Sequence, residues 1–99
     1  MNKRYVLVTG GSKRIGASIS KSLAKNNWHV IIHYYSDKKG AQNTCASIRK
    51  LNGKADIIKA DLSNFNSTQK LLPSINKKFG KISLLINNAS IFEKDSVKT

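Results

Sequence analysis

The sequence contains very little cysteine and proline, and it has no long apolar run. Its single cysteine, Cys45, cannot form an internal disulfide or a metal cluster by itself, so we interpret it as a small core residue. The apolar run from Tyr5 to Val8 is too short for a signal peptide or a membrane span. Ninety-nine residues fit one small domain, for which we expect a cytoplasmic location.

Acidic residues are also scarce. Five Asp and Glu stand against eighteen Lys and Arg, which gives a formal net charge of +13. Such an excess favours polyanionic partners, either nucleic acid or phosphorylated small molecules. The lysines are scattered, however, and no basic helix, zinc finger or aromatic RNA-binding motif accompanies them. We therefore interpret the charge as a solvated basic surface and do not expect a nucleic-acid partner.

Short apolar segments alternate with segments of helical periodicity. The apolar segments predict strands over residues 4–9, 28–34, 55–60 and 82–86. The helical segments predict helices over 14–26, from a cap at Ser36 or Asp37 to Asn52-Gly53, and from the polar cluster 63–67 to Gly80. The first strand is apolar enough to be buried on both faces, as parallel strands are.

This order predicts an α/β fold. Strands that alternate with helix-length connections are parallel and are joined by right-handed crossovers. We expect the N-terminal half of a Rossmann-like, doubly wound sheet, with strand order 3-2-1-4 and a switch point between strands one and four. Ligands bind beyond the carboxyl ends of such strands, where four stretches converge: 9–16, 33–37, 60–62 and 87–92.

The periodicity of each helix also predicts its buried face. The predicted apolar stripes are Ile15, Ile19, Ser22 and Leu23 in the first helix, Ala41, Cys45, Ile48 and Leu51 or its neighbour in the second, and Leu71, Leu72, Ile75 and Phe79 in the third. Gly53 is expected to end the second helix in the left-handed conformation. Pro73 is expected to kink the third helix or to delay its start.

The stretch Val6–Gly16 predicts a strand, a tight turn and a helix N-terminus within eleven residues. Glycine allows a sharp turn and a close approach of phosphate, and the new helix favours an anion through its free N–H groups and its dipole. The spacing Thr-Gly-x-x-x-Arg-Ile-Gly is not the Gly-x-Gly-x-x-Gly fingerprint, because Arg14 stands where a middle glycine is expected. An ordinary strand-to-helix turn is the alternative.

Two histidines, His29 and His33, lie four residues apart on the second predicted strand. No third ligand accompanies them in the sequence pattern. We interpret both as structural or solvent-facing residues and not as metal ligands.

Three stretches together resemble the short-chain dehydrogenase/reductase family across essentially the whole sequence. The turn that carries Thr9, Gly10, Arg14 and Gly16 is similar to the glycine-rich turn of the family. Asp61-Leu62 resembles its adenine-site acid, and Asn87-Asn88-Ala89 resembles its strand-four motif. The resemblance implies the following cofactor-binding residues: Gly10, Ser12, Lys13, Arg14, Ile15, Gly16, Tyr34, Tyr35, Ser36, Asp61, Leu62, Asn88, Ala89 and Ser90.

Further details resemble the pteridine reductase branch of that family. These are Arg14 in the turn, the His-Tyr pair that ends strand two, and Asn-Ala-Ser-x-Phe after strand four. The resemblance implies that Arg14 lies beside the cofactor pyrophosphate and faces the substrate, and that Ser90 lies near the nicotinamide ribose and the pterin. It also implies that Phe92 stacks on a planar pterin, which suits an aromatic platform. An incidental loop aromatic is the alternative for Phe92, and a helix-capping acid is the alternative for Asp61.

The end of strand two predicts the cofactor. NAD-dependent relatives place an acid there to hold the ribose 2′-OH, whereas this sequence has Tyr34, Tyr35 and Ser36. Hydroxyl groups do not repel a 2′-phosphate, and Lys13 could reach it, so we expect NADPH. Asp37 is the complication, because a shift of one to three residues would bring its carboxylate close.

The resemblance also implies what is missing. The family uses a tyrosine, a lysine four residues later and an upstream serine or aspartate, all beyond strand four. Tyr34 precedes Lys38 by four residues, but this pair lies in the cofactor-side loop and is not expected to be catalytic. We therefore expect no catalytic residue in residues 1–99, and interpret them as a truncated NADP-binding half with strand four as an open edge.

The full form is expected to be a homo-oligomer that acts on a pterin-like small molecule. The alternative is an inactive fragment that binds nucleotides or polyanions.

Overall fold

The computed structural model describes residues 4–10, 14–63 and 65–87. Seven elements follow in the order β1 (Tyr5–Thr9), α1 (Arg14–Lys25), β2 (His29–Tyr34), α2 (Lys38–Lys50), β3 (Lys54–Lys59), α3 (Phe65–Lys78) and β4 (Ile82–Asn87). The alternation of strands and helices agrees with the prediction, and no boundary differs from it by more than about three residues.

All four strands are parallel and form one sheet in the order β3-β2-β1-β4. Val8 of β1 lies opposite Ile32 of β2 and Ile86 of β4, which places β1 and β2 at the centre. Every residue of β1 is buried, as a strand covered on both faces must be. The predicted Rossmann-like topology, with strands one and four adjacent, is confirmed.

The sheet has a core on each face. On one face Val6, Val8, Val30 and Ile32 pack with α2, and with Leu23 and Ala24 of α1. On the other face Leu7 and Ile31 pack with Leu71 and Ile75 of α3. Alternate residues of one strand serve opposite faces, which is the two-residue period of β-structure.

The buried faces of two helices differ from the predicted stripes. In α1 the buried residues are Gly16 and Ser20, whereas Ile15 is 69% exposed. In α3 Leu71 and Ile75 are buried, but Leu72 is 40% exposed. A 3.6-residue period leaves neighbouring positions on the edge of the stripe, so the pattern alone could not decide which of them is covered.

The second helix confirms most of its prediction. Ala41, Thr44, Cys45 and Ile48 are buried, and the Cys45 thiol donates to the Ala55 carbonyl at 3.3 Å. Cys45 is thus a core residue, as expected. Leu51, by contrast, is 71% exposed at the C-cap.

The prediction for the end of α2 is wrong, and one of the two alternatives for Pro73, a delayed start of α3, is wrong as well. The left-handed residue after α2 is Asn52, with φ of 66°, and not Gly53. Position 53 favours glycine for a different reason, because a Cβ there would lie 2.6 Å from the Ile48 side chain. Pro73 does not delay α3, which begins eight residues earlier. It lies on the exposed side of the helix, where water can satisfy the carbonyl that loses its helical N–H partner.

No helix in the described part of the chain is both long and apolar enough to cross a membrane.

Candidate functional site

The carboxyl ends of the strands meet at one edge of the sheet. Thr9 at the end of β1 lies opposite Asn87 of β4, and Tyr34 at the end of β2 lies opposite Lys59 of β3. The Thr9 hydroxyl donates to the Ile86 carbonyl at 3.3 Å, which ties β1 to β4 at this edge. The stretches that follow β1, β2 and β3 therefore converge as predicted.

Several predicted site residues lie outside the described residues. They are Ser12, Lys13, Asn88, Ala89, Ser90 and Phe92. Their roles stay predictions.

The turn after β1 begins at Gly10. Its φ of 66° is a left-handed value that glycine adopts without the steric cost of a side chain. Gly10 is buried, and its amide donates to Nδ1 of His33 at 2.9 Å. The start of the glycine-rich turn is thus fixed both by its backbone conformation and by a side chain of β2.

The first turn of α1 presents side chains to solvent at the same edge. Arg14 and Ile15 are exposed, while Gly16 is buried and its carbonyl accepts from the Ser20 hydroxyl at 2.8 Å. The first N–H groups of a helix have no partner within the helix, and the helix dipole favours an anion there. This arrangement suits a phosphate group, with Arg14 as a source of further donors.

The two tyrosines at the end of β2 have different environments. Tyr34 is only 7% exposed and packs in the core with α2, so its side chain is part of the fold. Tyr35 is 54% exposed, and Ser36 beside it is also exposed. Of the three hydroxyl-bearing residues predicted here, Tyr35 and Ser36 are therefore the accessible ones.

Asp37 caps α2, as predicted for Ser36 or Asp37. Its Oδ1 accepts from the Gly40 amide at 2.9 Å. A Cβ on residue 40 would lie 2.1 Å from Oδ2 of Asp37, so glycine leaves room for the carboxylate in this position. The Asp37 carboxylate, which made the choice between NADPH and NADH less clear from the sequence, is thus held at the N-terminus of α2.

Asp61 follows β3 and forms a local turn. Its Oδ1 accepts from the Ser63 amide at 3.0 Å and from the Ser63 hydroxyl at 2.6 Å. Leu62 is partly buried and packs beside the core on the α3 face. Because Ser63 precedes α3, these bonds form a local turn and not a helix cap, and the adenine-site role stays a prediction.

His33 lies at the candidate site, although it is not among the site residues predicted from the sequence. It is 2% exposed, and its Nε2 lies 2.8 Å from the Ala60 carbonyl. Burial lowers the pKa of His33 below its ordinary value of 6.5, although the bond to Ala60 opposes that shift. The predicted structural role is confirmed, because both ring nitrogens have backbone partners. The signal in the sequence was a polar residue within the apolar strand predicted over residues 28–34.

The pair Tyr34 and Lys38 does not form a helical Tyr-x-x-x-Lys pair. Tyr34 is the buried last residue of β2, and Lys38 is the exposed first residue of α2. A proton-donating tyrosine needs access to substrate, which a core position does not give.

An open groove of about 650 Å³ lies elsewhere, along β3 and away from the carboxyl edge. Cys45, Arg49, Asp56 and Phe79 line it in part. Arg49 already donates to the Ala55 carbonyl and to Asp56, and burial raises the pKa of the Cys45 thiol. A thiol that stays protonated is a poor nucleophile, so we place the site at the carboxyl edge of the sheet.

The chain is similar to known proteins over almost its whole length. The profile of the short chain dehydrogenase family matches residues 4–99. An uncharacterized oxidoreductase of Methylorubrum extorquens is 37% identical over 90 residues, which cover 91% of this chain and 36% of that protein. A short-chain dehydrogenase/reductase homolog of Bacillus subtilis, YusS, is 36% identical over 88 residues, which cover 89% of this chain and 81% of that protein.

Solved structures show the same fold. The crystal structure of FolM alternative dihydrofolate reductase 1 from Brucella suis in complex with NADP is similar with a TM-score of 0.79 and 35% identity. The match covers 90% of this chain and 35% of that one. The chain thus spans about a third of the length of several curated relatives and of this structure.

Proposed function

The chain belongs to the short-chain dehydrogenase family, and we propose that it is the NADP(H)-binding portion of a pteridine reductase-like oxidoreductase. The observation that carries the proposal is the carboxyl edge of the sheet. There the buried Gly10, the exposed start of α1 and the exposed residues Tyr35 and Ser36 after β2 lie at neighbouring strand ends. In open α/β sheets this is where nucleotides bind.

The residues present fit a cofactor with a 2′-phosphate. Tyr35 and Ser36 offer hydroxyl groups at the end of β2, and the carboxylate of Asp37 caps α2. An acid that held the ribose 2′-OH would repel a phosphate, whereas hydroxyl groups accept or donate to it. The similar structure from Brucella suis is a complex with NADP, which supports the same choice.

Each part of the edge has a proposed role. Arg14 and the N-terminus of α1 bind the pyrophosphate, Tyr35, Ser36 and Lys13 lie at the 2′-phosphate, and Asp61 lies at the adenine. The cofactor supplies the hydride when it is bound. The family uses a tyrosine and a lysine beyond strand four for proton transfer, so the proposal for these residues is limited to binding the cofactor.

The substrate class is the finer part of the proposal. Arg14 in the turn, together with Ser90 and Phe92 after β4, is the combination that resembles pteridine reductases. The similar protein from Brucella suis is an alternative dihydrofolate reductase, and dihydrofolate contains a pterin. A longer form of the protein is expected to oxidise NADPH with dihydrobiopterin or dihydrofolate.

Calorimetric titration of the chain with NADPH and with NADH tests the cofactor proposal. We expect NADPH to bind at least about tenfold more tightly, since charge-assisted hydrogen bonds to a phosphate are worth about 1.5–3 kcal/mol. Arg14→Ala should weaken both cofactors, and Lys25→Ala at the far end of α1 is the matched control. Equal affinity for NADPH and NADH would contradict the proposal.

A second candidate function is the binding of polyanions in general. It is favoured by the net charge of +13 and by the engagement of Asp37, Asp56 and Asp61 in contacts within the chain. Polyanion binding weakens steeply with salt and ignores the nicotinamide. Binding of NADPH and of a nucleotide without nicotinamide should therefore be compared at low and high salt. If high salt weakens the binding of both ligands steeply and equally, that result would favour the binding of polyanions in general.

A further inference from the structure

His33 connects three strand ends at the carboxyl edge. It belongs to β2, it accepts from the Gly10 amide just after β1, and it contacts the Ala60 carbonyl just after β3. Both contacts are shorter than 3 Å, and the side chain is almost fully buried. One imidazole ring thus fixes the segments that leave the two strands on either side of its own.

The two partners define the state of the ring. The Gly10 amide can only donate, so Nδ1 of His33 carries no proton. The Ala60 carbonyl can only accept, so Nε2 carries the proton and donates it. This is the neutral tautomer, and a second proton on Nδ1 would place two hydrogens between that nitrogen and the Gly10 amide.

The surroundings of His33 provide little to stabilise a charged ring. The charged residues nearest in sequence to the segments that His33 connects are Arg14 after Gly10, Asp37 after β2, and Lys59 and Asp61 on either side of Ala60. The charged residues of α3 are Lys70, Lys77 and Lys78, and all three are exposed, as are Arg14 and Lys59. The carboxylates of Asp37 and Asp61 each accept hydrogen bonds from their own loops. Burial is the largest influence on the pKa of His33, and it favours the neutral ring.

We infer that His33 is a positioning residue, which in its neutral form holds the Gly10 amide and thereby the start of the glycine-rich turn in the geometry that binds the cofactor. This inference rests on the proposed function, because the turn is the proposed pyrophosphate site. Protonation of the ring removes the acceptor that His33 offers to the Gly10 amide. Cofactor affinity is thus coupled to a residue that does not touch the cofactor.

Two variants separate the two hydrogen bonds of the ring. The side chain of His33→Asn places an acceptor near the position of Nδ1, and that of His33→Gln places a donor near the position of Nε2. The first variant keeps the bond to Gly10 and the second keeps the bond to Ala60. Neither side chain titrates. His29→Asn, at the other end of the same strand, is the control for loss of a histidine.

The variants are compared by calorimetric titration with NADP⁺ and by the hydrogen exchange rate of the Gly10 amide, both at neutral pH. We expect His33→Gln to weaken NADP⁺ binding and to speed Gly10 exchange about tenfold, the effect of leaving one buried N–H without its acceptor. His33→Asn and His29→Asn should stay within about threefold of the wild type. A merely structural role would make the Asn and Gln variants equally weak, and that result would overturn the inference.

The wild-type protein gives a test that requires no variant. As the pH falls, the amide resonance of Gly10 should shift with the same midpoint as the ring protons of His33. NADP⁺ affinity should fall over the same range in the wild type and fall less in His33→Asn, since titration of the ligand phosphate is common to both. A Gly10 resonance that does not follow His33 would overturn the inference. If Gly10 follows His33 but the wild type does not bind NADP⁺, the proposed function fails while the link between the two residues stands.

Discussion

The two histidines of β2 lie near opposite ends of that strand, His29 at the amino edge of the sheet and His33 at its carboxyl edge, and they make different contacts. At the amino edge His29 bonds to Asp56 at 2.7 Å and packs against the Tyr5 ring, with a centroid distance of 4.8 Å. At the carboxyl edge His33 is buried, and the two hydrogen bonds described above join its ring to backbone groups. The first holds side chains together, whereas the second holds strand ends together.

The loops at the two edges also differ, in backbone conformation at one edge and in exposed side chains at the other. At the amino edge the chain enters its strands through left-handed or otherwise unusual residues, which are Asn27, Asn52 and Gly80. At the carboxyl edge exposed functional groups, such as those of Arg14 and Tyr35, follow the strand ends. The amino edge therefore contributes to stability, and the carboxyl edge is available for a ligand. Changes at each edge should separate these two properties.

The largest effect is expected where both edges depend on one residue. Ile31 lies between His29 and His33 on the same face of β2 and is fully buried. Ile31→Ala should lower the free energy of unfolding by about 2–5 kcal/mol, through lost burial and a cavity. Urea unfolding measures the change, with Leu51→Ala at a 71% exposed position as the control. A loss no larger than that of the control would show that this face of the sheet is not a packed core.

Gly80 tests the amino edge alone. Its φ is 152°, and a Cβ would lie 2.6 Å from the Tyr5 ring. Gly80→Ala should cost about 1–3 kcal/mol in stability, because alanine rarely adopts this conformation. NADP⁺ affinity, measured under conditions where the variant is folded, should stay unchanged. A weakened cofactor affinity with normal stability would contradict the separation of the two edges.

The pH dependence of stability tests the carboxyl edge. Since burial lowers the pKa of His33 in the folded state, the unfolded chain binds the proton more readily. The contribution of His33 to stability is therefore complete above the ordinary value of 6.5 and falls as the pH decreases below it. Urea unfolding as a function of pH should show a smaller decrease for His33→Asn, because all other titrating groups are shared. Parallel curves for the two proteins would contradict the buried neutral state of His33.

The smallest effect is expected for the ion pairs of Asp56. Asp56 contacts His29 and Arg49, and the side chain of Arg49 is 59% exposed. Asp56→Asn should cost about 0.2–1 kcal/mol, and less in high salt, because ion pairs that solvent reaches are weak and screened. Unfolding in low and high salt measures the difference. A loss of several kcal/mol that salt does not change would point to a buried network instead.

Much of the fold follows from the sequence, and the reasons are local. Apolar runs such as Val6–Val8 and Val30–Ile32 identify buried parallel strands, and the helices between them require right-handed crossovers. The cap at Asp37 and the core position of Cys45 also follow from local patterns. The prediction was wrong where two adjacent residues compete for one role. Asn52 and not Gly53 takes the left-handed conformation, and Leu72 is exposed while Leu71 is buried.

The candidate site follows from the sequence only in outline. The convergence of the stretches after β1, β2 and β3 requires nothing beyond parallel strands and their order. The division between buried Tyr34 and exposed Tyr35 depends on which face of β2 packs against α2. The hydrogen-bond partners of His33 could not be predicted, since both of them are backbone groups and carry no mark in the sequence. Tertiary hydrogen bonds to the backbone become visible only when the strand register is known.

The most direct test of a cofactor site at the carboxyl edge is a titration of the isotope-labelled chain with NADP⁺, followed through its assigned amide resonances. We predict saturable shifts for residues at that edge, including Gly10, Tyr35, Ser36 and Asp61. The amides of Asn27, Asn52 and Gly80 at the amino edge should not move. Shifts spread over both edges, or confined to the exposed lysines of α2 and α3, would contradict a cofactor site at the carboxyl edge of this sheet.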